Sequence, residues 1–400
     1  MATNVKKKRR INPALLARGG MDIPFLCFVL ALLTIGLIMM FSASYTYCYY
    51  NFGDSLYYFK RQLIFAIVGV VAMFVASKFK VEIYKVAATP LLAVSYLLLV
   101  VVLFVTPPSG FEEFHRWITI PGITTFQPSE IAKLAIILYL AMHIGEHYKG
   151  INSSEVMKVR NYRMPVRTYC FLLYVVIVGA ASVLVYLENH VSGTLLIFAL
   201  GLMMMWFAGF DYKIFLVGIV LVVVAAIVVV LNPEILPAHA QPRILAWVDK
   251  DYDPRGVRWQ TNNALYAIGS GGLFGVGLGN SKQKQLYVSE PQNDFIFSIV
   301  CEELGVIGAA IIIILFILLV WRGFYIGIHT KDKFASLLAM GLSFQVGLQA
   351  SLNIAVVTDV LPNTGISLPF FSYGGTSLMM LLFEMGLILG ISRTANIKRS

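Results

Sequence analysis

The chain has 400 residues, of which 58% are hydrophobic and only 13% are charged, and its mean hydropathy is +0.77. Soluble domains carry about a quarter charged residues, so this composition excludes a soluble protein and indicates a polytopic membrane protein. The formal net charge of +10 is dispersed among loops, which argues against a nucleic-acid-binding protein. The four cysteines lack CxxC or zinc-ligand spacing, so we predict neither a disulfide framework nor a cysteine metal site.

Residues 1–21 form a basic tail, with the run KKKRR at 6–10 ahead of the first apolar segment. Basic residues next to a membrane span favour the cytoplasmic side. The tail is too long and too polar for a short cleavable signal peptide, so we predict a cytoplasmic anchor and a retained first helix.

Apolar runs near the ~20 residues that span a bilayer predict about ten transmembrane helices. In chain order they are 22–45, 60–77, 82–105, 128–146, 167–187, 191–209, 212–231, 294–320, 334–357 and 376–392. The predicted fold is all-α, a multi-pass bundle over 22–393 with both termini cytoplasmic and a short C-terminal tail at 394–400. Most of the 31 lysines and arginines then fall on the cytoplasmic side, as membrane topology requires.

Three loops on the opposite side are rich in Pro, Gly, aromatic and amide residues: 106–127, 232–293 and 358–375. The extracytoplasmic loop 232–293, between the seventh and eighth helices, is the longest. Long loops usually carry sites or are disordered, and these contain too many apolar residues to be disordered. We expect them to fold back onto the helices and to carry the function.

Asp294 lies at the start of the eighth predicted helix. Counting about 20 apolar residues back from Val320 reaches Cys301, so Asp294 lies ~10 Å above the hydrocarbon edge if the helix is straight. An acid there either caps the helix or acts as a catalytic carboxylate at headgroup height. Glu302 and Glu303 lie deeper, where carboxylates usually face the bundle interior and have a partner.

The fourth predicted helix begins with QPSEIAK at 127–133, and Pro128 suits its first turn. Glu130 and Lys133 share one face of this helix, which favours a structural ion pair. The alternative is an anion site, in which Lys133, Arg116 and the positive end of the helix bind a pyrophosphate. The sequence leaves both interpretations open.

Three further motifs carry less weight. Residues 143–147 match HxxEH and place two imidazoles at i,i+4, but without an obvious third ligand we predict an interfacial helix end and no zinc site. The Gly-rich run 269–279 fits neither dinucleotide nor P-loop spacing. Glu384, alone in the tenth helix, is predicted to be a satisfied interhelical polar residue.

A set of segments resembles the hallmark motifs of the SEDS family, the shape, elongation, division and sporulation proteins of the FtsW, RodA and SpoVE kind. In chain order the segments are HRWI (115–118), QPSEIAK (127–133), AIGSGGLFGVGLGNSKQK (267–284), EPQNDFIF (290–297) with EELGVIG (302–308), and LPNTGISLPFFSYGGTS (361–377). The resemblance extends from the first helix to the C-terminal tail, and its closing motif is highly specific.

This resemblance implies a ten-helix bundle that polymerises lipid II into peptidoglycan glycan strands at the outer face of the bacterial cytoplasmic membrane. It also implies membrane lipid, a class B penicillin-binding protein acting as transpeptidase, and other division or elongation proteins as partners. By motif match, Asp294 takes the position of the family's essential aspartate. The implied substrate-binding residues are Arg116, Trp117, Glu130, Lys133, Glu290, Ser372, Tyr373, Gly374 and Gly375.

The expected reaction is a single inverting displacement, in which a sugar 4-hydroxyl attacks the anomeric carbon of a second lipid-linked disaccharide and expels undecaprenyl pyrophosphate. Asp294 is the expected base, while Arg116 and Lys133, with Mg²⁺ or Mn²⁺ as an optional aid, stabilise the leaving group. Two rival functions stay open, a lipid II flippase or other transporter and a noncatalytic division scaffold. The sequence does not separate division from elongation or sporulation, although the basic tail leans towards division.

Overall fold

The structure, a computed structural model, describes residues 19–107, 115–120, 124–159, 162–236 and 240–396. Over these residues the chain forms twelve α-helices and two small antiparallel hairpins. Most of the predicted N-terminal tail and part of the predicted C-terminal tail lie outside the described residues.

The helices pack as one bundle with a shared apolar core. Their bounds are α1 (Ile23–Phe52), α2 (Tyr57–Ala76), α3 (Val81–Val102), α4 (Pro128–Ile151), α5 (Val166–Leu187), α6 (Val191–Phe207), α7 (Tyr212–Leu231), α8 (Gln241–Val248), α9 (Trp259–Ser270), α10 (Ile296–Ile328), α11 (Lys333–Val357) and α12 (Gly375–Ser392). The strands are β1 (Ile118–Ile120) paired with β2 (Thr124–Phe126), and β3 (Val156–Val159) paired with β4 (Tyr162–Pro165).

The predicted all-α membrane bundle is confirmed. Among the described residues, nine helices are long and apolar enough to cross a membrane, and α6 is a shorter apolar helix of 17 residues. Each predicted span has its helix, while α8 and α9 are short helices inside the loop 232–293. Helices α4 and α11 are buried on most sides, whereas α7 buries only Phe215 and Gly218 and therefore lies at the periphery.

The predicted end of the eighth span at residue 320 is wrong, because α10 continues to Ile328. Arg322 ends the apolar run of the sequence, although the helix continues past it. Its guanidinium pairs with Asp22, with 2.8 Å between Nη2 and Oδ2. Asp22 also caps α1 by accepting a hydrogen bond from the Phe25 N–H (3.0 Å), and its own N–H donates to Ser392 Oγ (3.0 Å). This one aspartate thus joins the ends of α1, α10 and α12.

Helix α10 is interrupted at Gly305, where φ is 68° and ψ is −172°. The neighbouring Gly-rich run supplies hydrogen bonds that the interrupted helix lacks. The Val276 N–H donates to the Glu302 carbonyl (2.9 Å), and the Val306 N–H donates to the Gly272 carbonyl (2.9 Å). Backbone groups buried in a membrane protein need such partners, so the glycine-rich run has a structural role beside the break.

Both buried carboxylates next to this break have partners, as predicted. Glu303 pairs with Lys284 at 2.7 Å and accepts a hydrogen bond from Ser42 Oγ at 2.7 Å. Glu302 accepts hydrogen bonds from Ser281 Oγ and from the Lys282 N–H, the latter at 2.9 Å. The network fixes the loop before Asp294 to α1 and α10.

The interpretation of Asp294 as a helix cap is wrong, and the straight helix on which its predicted height rests is interrupted. The straight-helix height does not apply, because Asp294 and Val320 lie on opposite sides of the break at Gly305. Asp294 also does not cap α10: Phe295 occupies the capping position, the cap has no side-chain hydrogen bond, and the first turn contains no acid.

Candidate active site

A cavity of about 520 Å³ opens at the end of the bundle where α4, α6, α10 and α12 begin. All the predicted site residues line this cavity, although they come from four separate segments of the chain. They are Arg116, Trp117, Glu130, Lys133, Glu290, Asp294, Ser372, Tyr373, Gly374 and Gly375. The structure thus brings the predicted residues together, and their individual roles stay predictions.

Asp294 is placed between α11 and the loop that leads to α12. Its carbonyl accepts a hydrogen bond from Asn353 Nδ2 (2.7 Å), and the same amide donates to the Ile366 carbonyl (2.6 Å). The carboxylate lies beside Gly365, where a Cβ would be 3.1 Å from Asp294 Oδ2. Gly365 has a φ of +71°, so both the backbone conformation and the close approach favour glycine there.

Burial raises the pKa of Asp294 to about 6, and the negative charge of Glu290 adds to this effect. The positive charges of Arg116 and Arg243 act in the opposite direction. A carboxyl group with a pKa near neutrality suits a general base, because it is ionised at pH 7 yet accepts a proton readily.

Two guanidinium groups belong to the electrostatic surroundings of Asp294. Arg116 Nη2 donates to the Asn189 carbonyl, and burial lowers the pKa of Arg116 to about 10, with a further contribution from Arg243. Burial also lowers the pKa of Arg243, whereas Asp294 raises it. With a pKa of about 10, Arg116 stays protonated at neutral pH, so the cavity presents positive charge suited to an anion such as a pyrophosphate.

The predicted ion pair between Glu130 and Lys133 is confirmed, with 2.9 Å between Oε1 and Nζ. Lys133 also donates to Gln349 Oε1 at 3.1 Å. The pair faces the cavity, so the ion-pair and anion-site interpretations are compatible. Glu384 is a satisfied interhelical polar residue, as predicted, since Gln345 Nε2 of α11 donates to its Oε2 at 2.9 Å.

The closing motif holds the segment that carries Asp294. Ser372 Oγ donates to the Asn293 carbonyl (2.9 Å) and accepts from the Leu368 N–H (2.7 Å). The Tyr373 N–H donates to the Gln292 carbonyl at 2.8 Å. These contacts give Ser372 and Tyr373 a positioning role, which the sequence analysis did not distinguish from substrate binding.

The remaining predicted residues have local partners of their own. Glu290 Oε2 accepts a hydrogen bond from Asn293 Nδ2 at 2.7 Å, which stabilises the turn before Asp294. The Gly374 N–H donates to Gln62 Oε1 at 3.2 Å, and a Cβ on Gly375 would lie 2.2 Å from the ring of Phe65. Helix α12 therefore begins in close contact with α2.

Comparison with known proteins decides the family. The family described as cell cycle protein, which comprises FtsW, RodA and SpoVE, matches residues 23–397. The chain belongs to the FtsW/RodA/SpoVE family. The resemblance in the sequence motifs is thereby confirmed, and the chain is a multi-pass membrane protein.

Two curated relatives of the FtsW/RodA/SpoVE family are similar over nearly their full length. The chain is 37% identical over 371 residues to a probable peptidoglycan glycosyltransferase FtsW of Trichlorobacter lovleyi, with 93% of each chain covered. It is 38% identical over 379 residues to the stage V sporulation protein E of Bacillus subtilis, covering 93% of this chain and 97% of the relative.

Two solved structures share the fold. RodA of Thermus thermophilus superposes with a TM-score of 0.65 at 24% identity, covering 94% of this chain and 98% of RodA. A chain of a peptidoglycan synthase complex that coordinates polymerization and crosslinking has a TM-score of 0.73 at 24% identity, covering 93% of this chain and 98% of its own. At this identity the likeness establishes the fold alone.

Against this FtsW/RodA/SpoVE background, the sequence analysis missed three residues near the cavity. Arg243 lines the cavity from α8, and no motif in the sequence distinguishes it from the other basic residues of the loop 232–293. His190 lines the cavity, and burial together with Arg116 lowers its pKa well below the usual range. Glu188, two residues before His190 in the chain, is fully buried, and burial raises its pKa to about 9 against the opposing charge of Arg116.

Proposed function

We propose that this protein is an inverting peptidoglycan glycosyltransferase, which polymerises lipid II at the outer face of the bacterial cytoplasmic membrane. The observation that carries the proposal is Asp294, a carboxylate with a raised pKa, in one cavity with Arg116 and Arg243. The relative in Trichlorobacter lovleyi, which bears the name probable peptidoglycan glycosyltransferase, supports the same reaction class.

Asp294 is the proposed base. Its carboxylate accepts the proton of the attacking sugar 4-hydroxyl while that oxygen forms a bond to the anomeric carbon of the second lipid-linked disaccharide. The bond from the anomeric carbon to the pyrophosphate oxygen breaks in the same displacement, so the configuration inverts. Protonated Asp294 then returns its proton to solvent.

Arg116, Arg243 and Lys133 are the proposed stabilisers of the leaving pyrophosphate. Positive groups that are already in place stabilise charge as it develops, without reorganisation during the reaction. The positive charge of Lys133 is partly neutralised by Glu130. We therefore assign most of the stabilisation of the pyrophosphate to Arg116 and Arg243.

An optional divalent cation would find two carboxylates in the cavity, those of Asp294 and Glu290. Mg²⁺ usually binds through one or two carboxylates together with substrate phosphates, so these two residues would hold such an ion against a pyrophosphate. The ion would supply positive charge beside the leaving group. The two arginines supply such charge in its absence, so we derive no step through a metal ion.

We also propose that both termini are cytoplasmic, that the cavity faces outward, and that a class B transpeptidase is the partner. The positive-inside distribution supports the orientation. The fold shared with a chain of a peptidoglycan synthase complex supports the partner.

The test uses the full chain in proteoliposomes with labelled lipid II supplied only to the face that carries the cavity. A polymerase makes glycan strands there without translocation, and Asp294→Asn stops it. Transfer of a fluorescent precursor between leaflets without polymer, unchanged by Asp294→Asn, would replace the proposal with the flippase. The partner transpeptidase is included in every arm, so that a missing activator is not mistaken for inactivity.

A further inference from the structure

A cluster of two histidines and one cysteine lies at the end of α4 farthest from the cavity. His143 and His147 occupy successive turns of α4, and Cys170 lies in the first turns of α5. One ring nitrogen of each histidine and the cysteine Sγ all lie within 4.8 Å of one another. Within the described residues, this is where three metal-binding side chains come together.

The two imidazoles lie side by side, close enough to share a ligand once their rings rotate. His147 Nδ1 lies 3.0 Å from the His143 carbonyl, and His143 Nδ1 lies 2.9 Å from the Tyr174 hydroxyl. These contacts leave Nε2 of each ring to bind an ion, and metal-binding histidines usually have such an outer partner on the second nitrogen. The rings are nearly parallel, with centroids 4.2 Å apart and planes 18° from each other.

Tyr174 links the third ligand to the first. Its side chain is fully buried, and its hydroxyl contacts both His143 and the Cys170 thiol one turn earlier in α5. A single hydroxyl therefore fixes the direction of two side chains that belong to different helices. Cys170 is also fully buried, which shields the sulfur from oxidants in solvent.

The glutamate of the HxxEH pattern is engaged elsewhere. Glu146 pairs with Lys85 of α3, with 3.0 Å between Oε1 and Nζ. It is therefore not arranged as the general base of a metalloprotease, and the cluster suits a structural ion. Two imidazoles and a thiolate are ligands that zinc prefers, whereas calcium and magnesium prefer oxygen.

We infer that His143, His147 and Cys170 bind one zinc ion, which joins the ends of α4 and α5 opposite the cavity. Zinc lies about 2.0 Å from nitrogen and about 2.3 Å from sulfur, so tetrahedral ligand atoms are about 3.5 Å apart. Side-chain rotations that move the ligand atoms by about 1 Å bring the present cluster to that geometry. The sequence analysis predicts no zinc site at residues 143–147, because it finds no third ligand there. The third ligand, Cys170, belongs to α5 and comes close to the histidines only when α5 packs against α4.

The experiment titrates untagged full-length protein in detergent with Co²⁺ after chelator treatment, followed by Zn²⁺. We expect a thiolate-to-cobalt absorption band, its loss when Zn²⁺ is added, and about one bound zinc per chain. Cys170→Ser should abolish the band and weaken zinc binding at least about tenfold. Cys48→Ser, which changes another fully buried cysteine in α1, is the matched control and should keep both.

His147→Ala provides a second variant, because this partly exposed side chain is removable at little packing cost. It should lower zinc affinity while size-exclusion behaviour stays that of the unaltered protein. Absence of the cobalt band in the unaltered protein, or equal zinc content in the Cys170→Ser and unaltered chains, would overturn the inference. The readout is metal binding, so it does not depend on whether the protein polymerises glycan.

Discussion

Lys133 Nζ lies 2.9 Å from Glu130 Oε1 in the wall of the cavity, and the two side chains are only 6% and 16% exposed. The lysine is therefore held by an acid one turn earlier and is not a mobile surface cation. Removing one partner of a buried pair leaves the other charge uncompensated, which costs more than the pair itself contributes.

The first prediction concerns this pair. Lys133→Met or Glu130→Gln alone should lower the free energy of unfolding by about 3 kcal/mol, whereas the double variant should lose less than the sum. Thermal unfolding in detergent measures each value. Additive losses would mean that the two side chains do not depend on each other.

The second prediction is that Asp294→Asn lowers the polymerisation rate at least about 100-fold, the contribution expected of a general base. Asp251→Asn removes an exposed carboxylate from the same loop and should keep the rate, so it serves as the control. The initial rate of polymerisation of labelled lipid II is measured for both variants. A normal rate from Asp294→Asn would assign the base to another group.

The third prediction is a loss of activity as the pH falls through about 6, because Asp294 must be ionised to accept a proton and its pKa is raised to about 6. The sign follows from the base being active only above this pKa. Initial rates between acidic and neutral pH measure the acid limb. A rate that stays constant well below this pH would contradict the assignment.

Charged residues near Asp294 allow the acid limb of the pH–rate profile to be shifted to lower or to higher pH. Glu290→Gln removes a negative charge that raises the pKa of Asp294, so the limb should shift to lower pH. Arg243→Gln removes a positive charge that lowers this pKa, so the limb should shift to higher pH. Shifts in the same direction for both variants would exclude Asp294 as the titrating group.

The fourth prediction tests the glycine-rich run beside the break in α10. Gly275 has a φ of +80°, and a Cβ there would lie 2.2 Å from the Glu303 carbonyl oxygen. Gly279 has a similar φ of +85° with no atom within 4 Å of its Cβ position. Gly275→Ala should therefore destabilise the protein more than Gly279→Ala, whose cost is about 1 kcal/mol of backbone strain.

Thermal unfolding of the two alanine variants separates contact from conformation. Equal losses would show that only the positive φ matters and that the close approach to Glu303 does not. A larger loss for Gly275→Ala, accompanied by a lower polymerisation rate, would connect this contact to the placement of Asp294.

Hydropathy was sufficient to predict the membrane-spanning helices, because length and apolar composition decide which segments cross a bilayer. It did not predict the short helices α8 and α9 inside the loop 232–293. The motifs were sufficient to assemble the cavity residues, although they are far apart in the chain. The break at Gly305 was beyond prediction, because residues on both sides of it read as one apolar helix. Arg243 and Cys170 were missed for a related reason, since each gains its significance only from neighbours supplied by other helices.

The hydrogen bonds across the break in α10 join main chain to main chain, and so do the bonds from Tyr373 to the segment before Asp294. Such contacts depend little on which side chains the flanking positions carry. The exposed positions of the loop can therefore change over evolutionary time without moving the carboxylate, provided that Gly275 and Gly305 stay small and that the side-chain anchors Ser281, Lys284 and Ser372 are kept. Its surface is free to adapt to different partner proteins while the position of the reactive group is inherited unchanged.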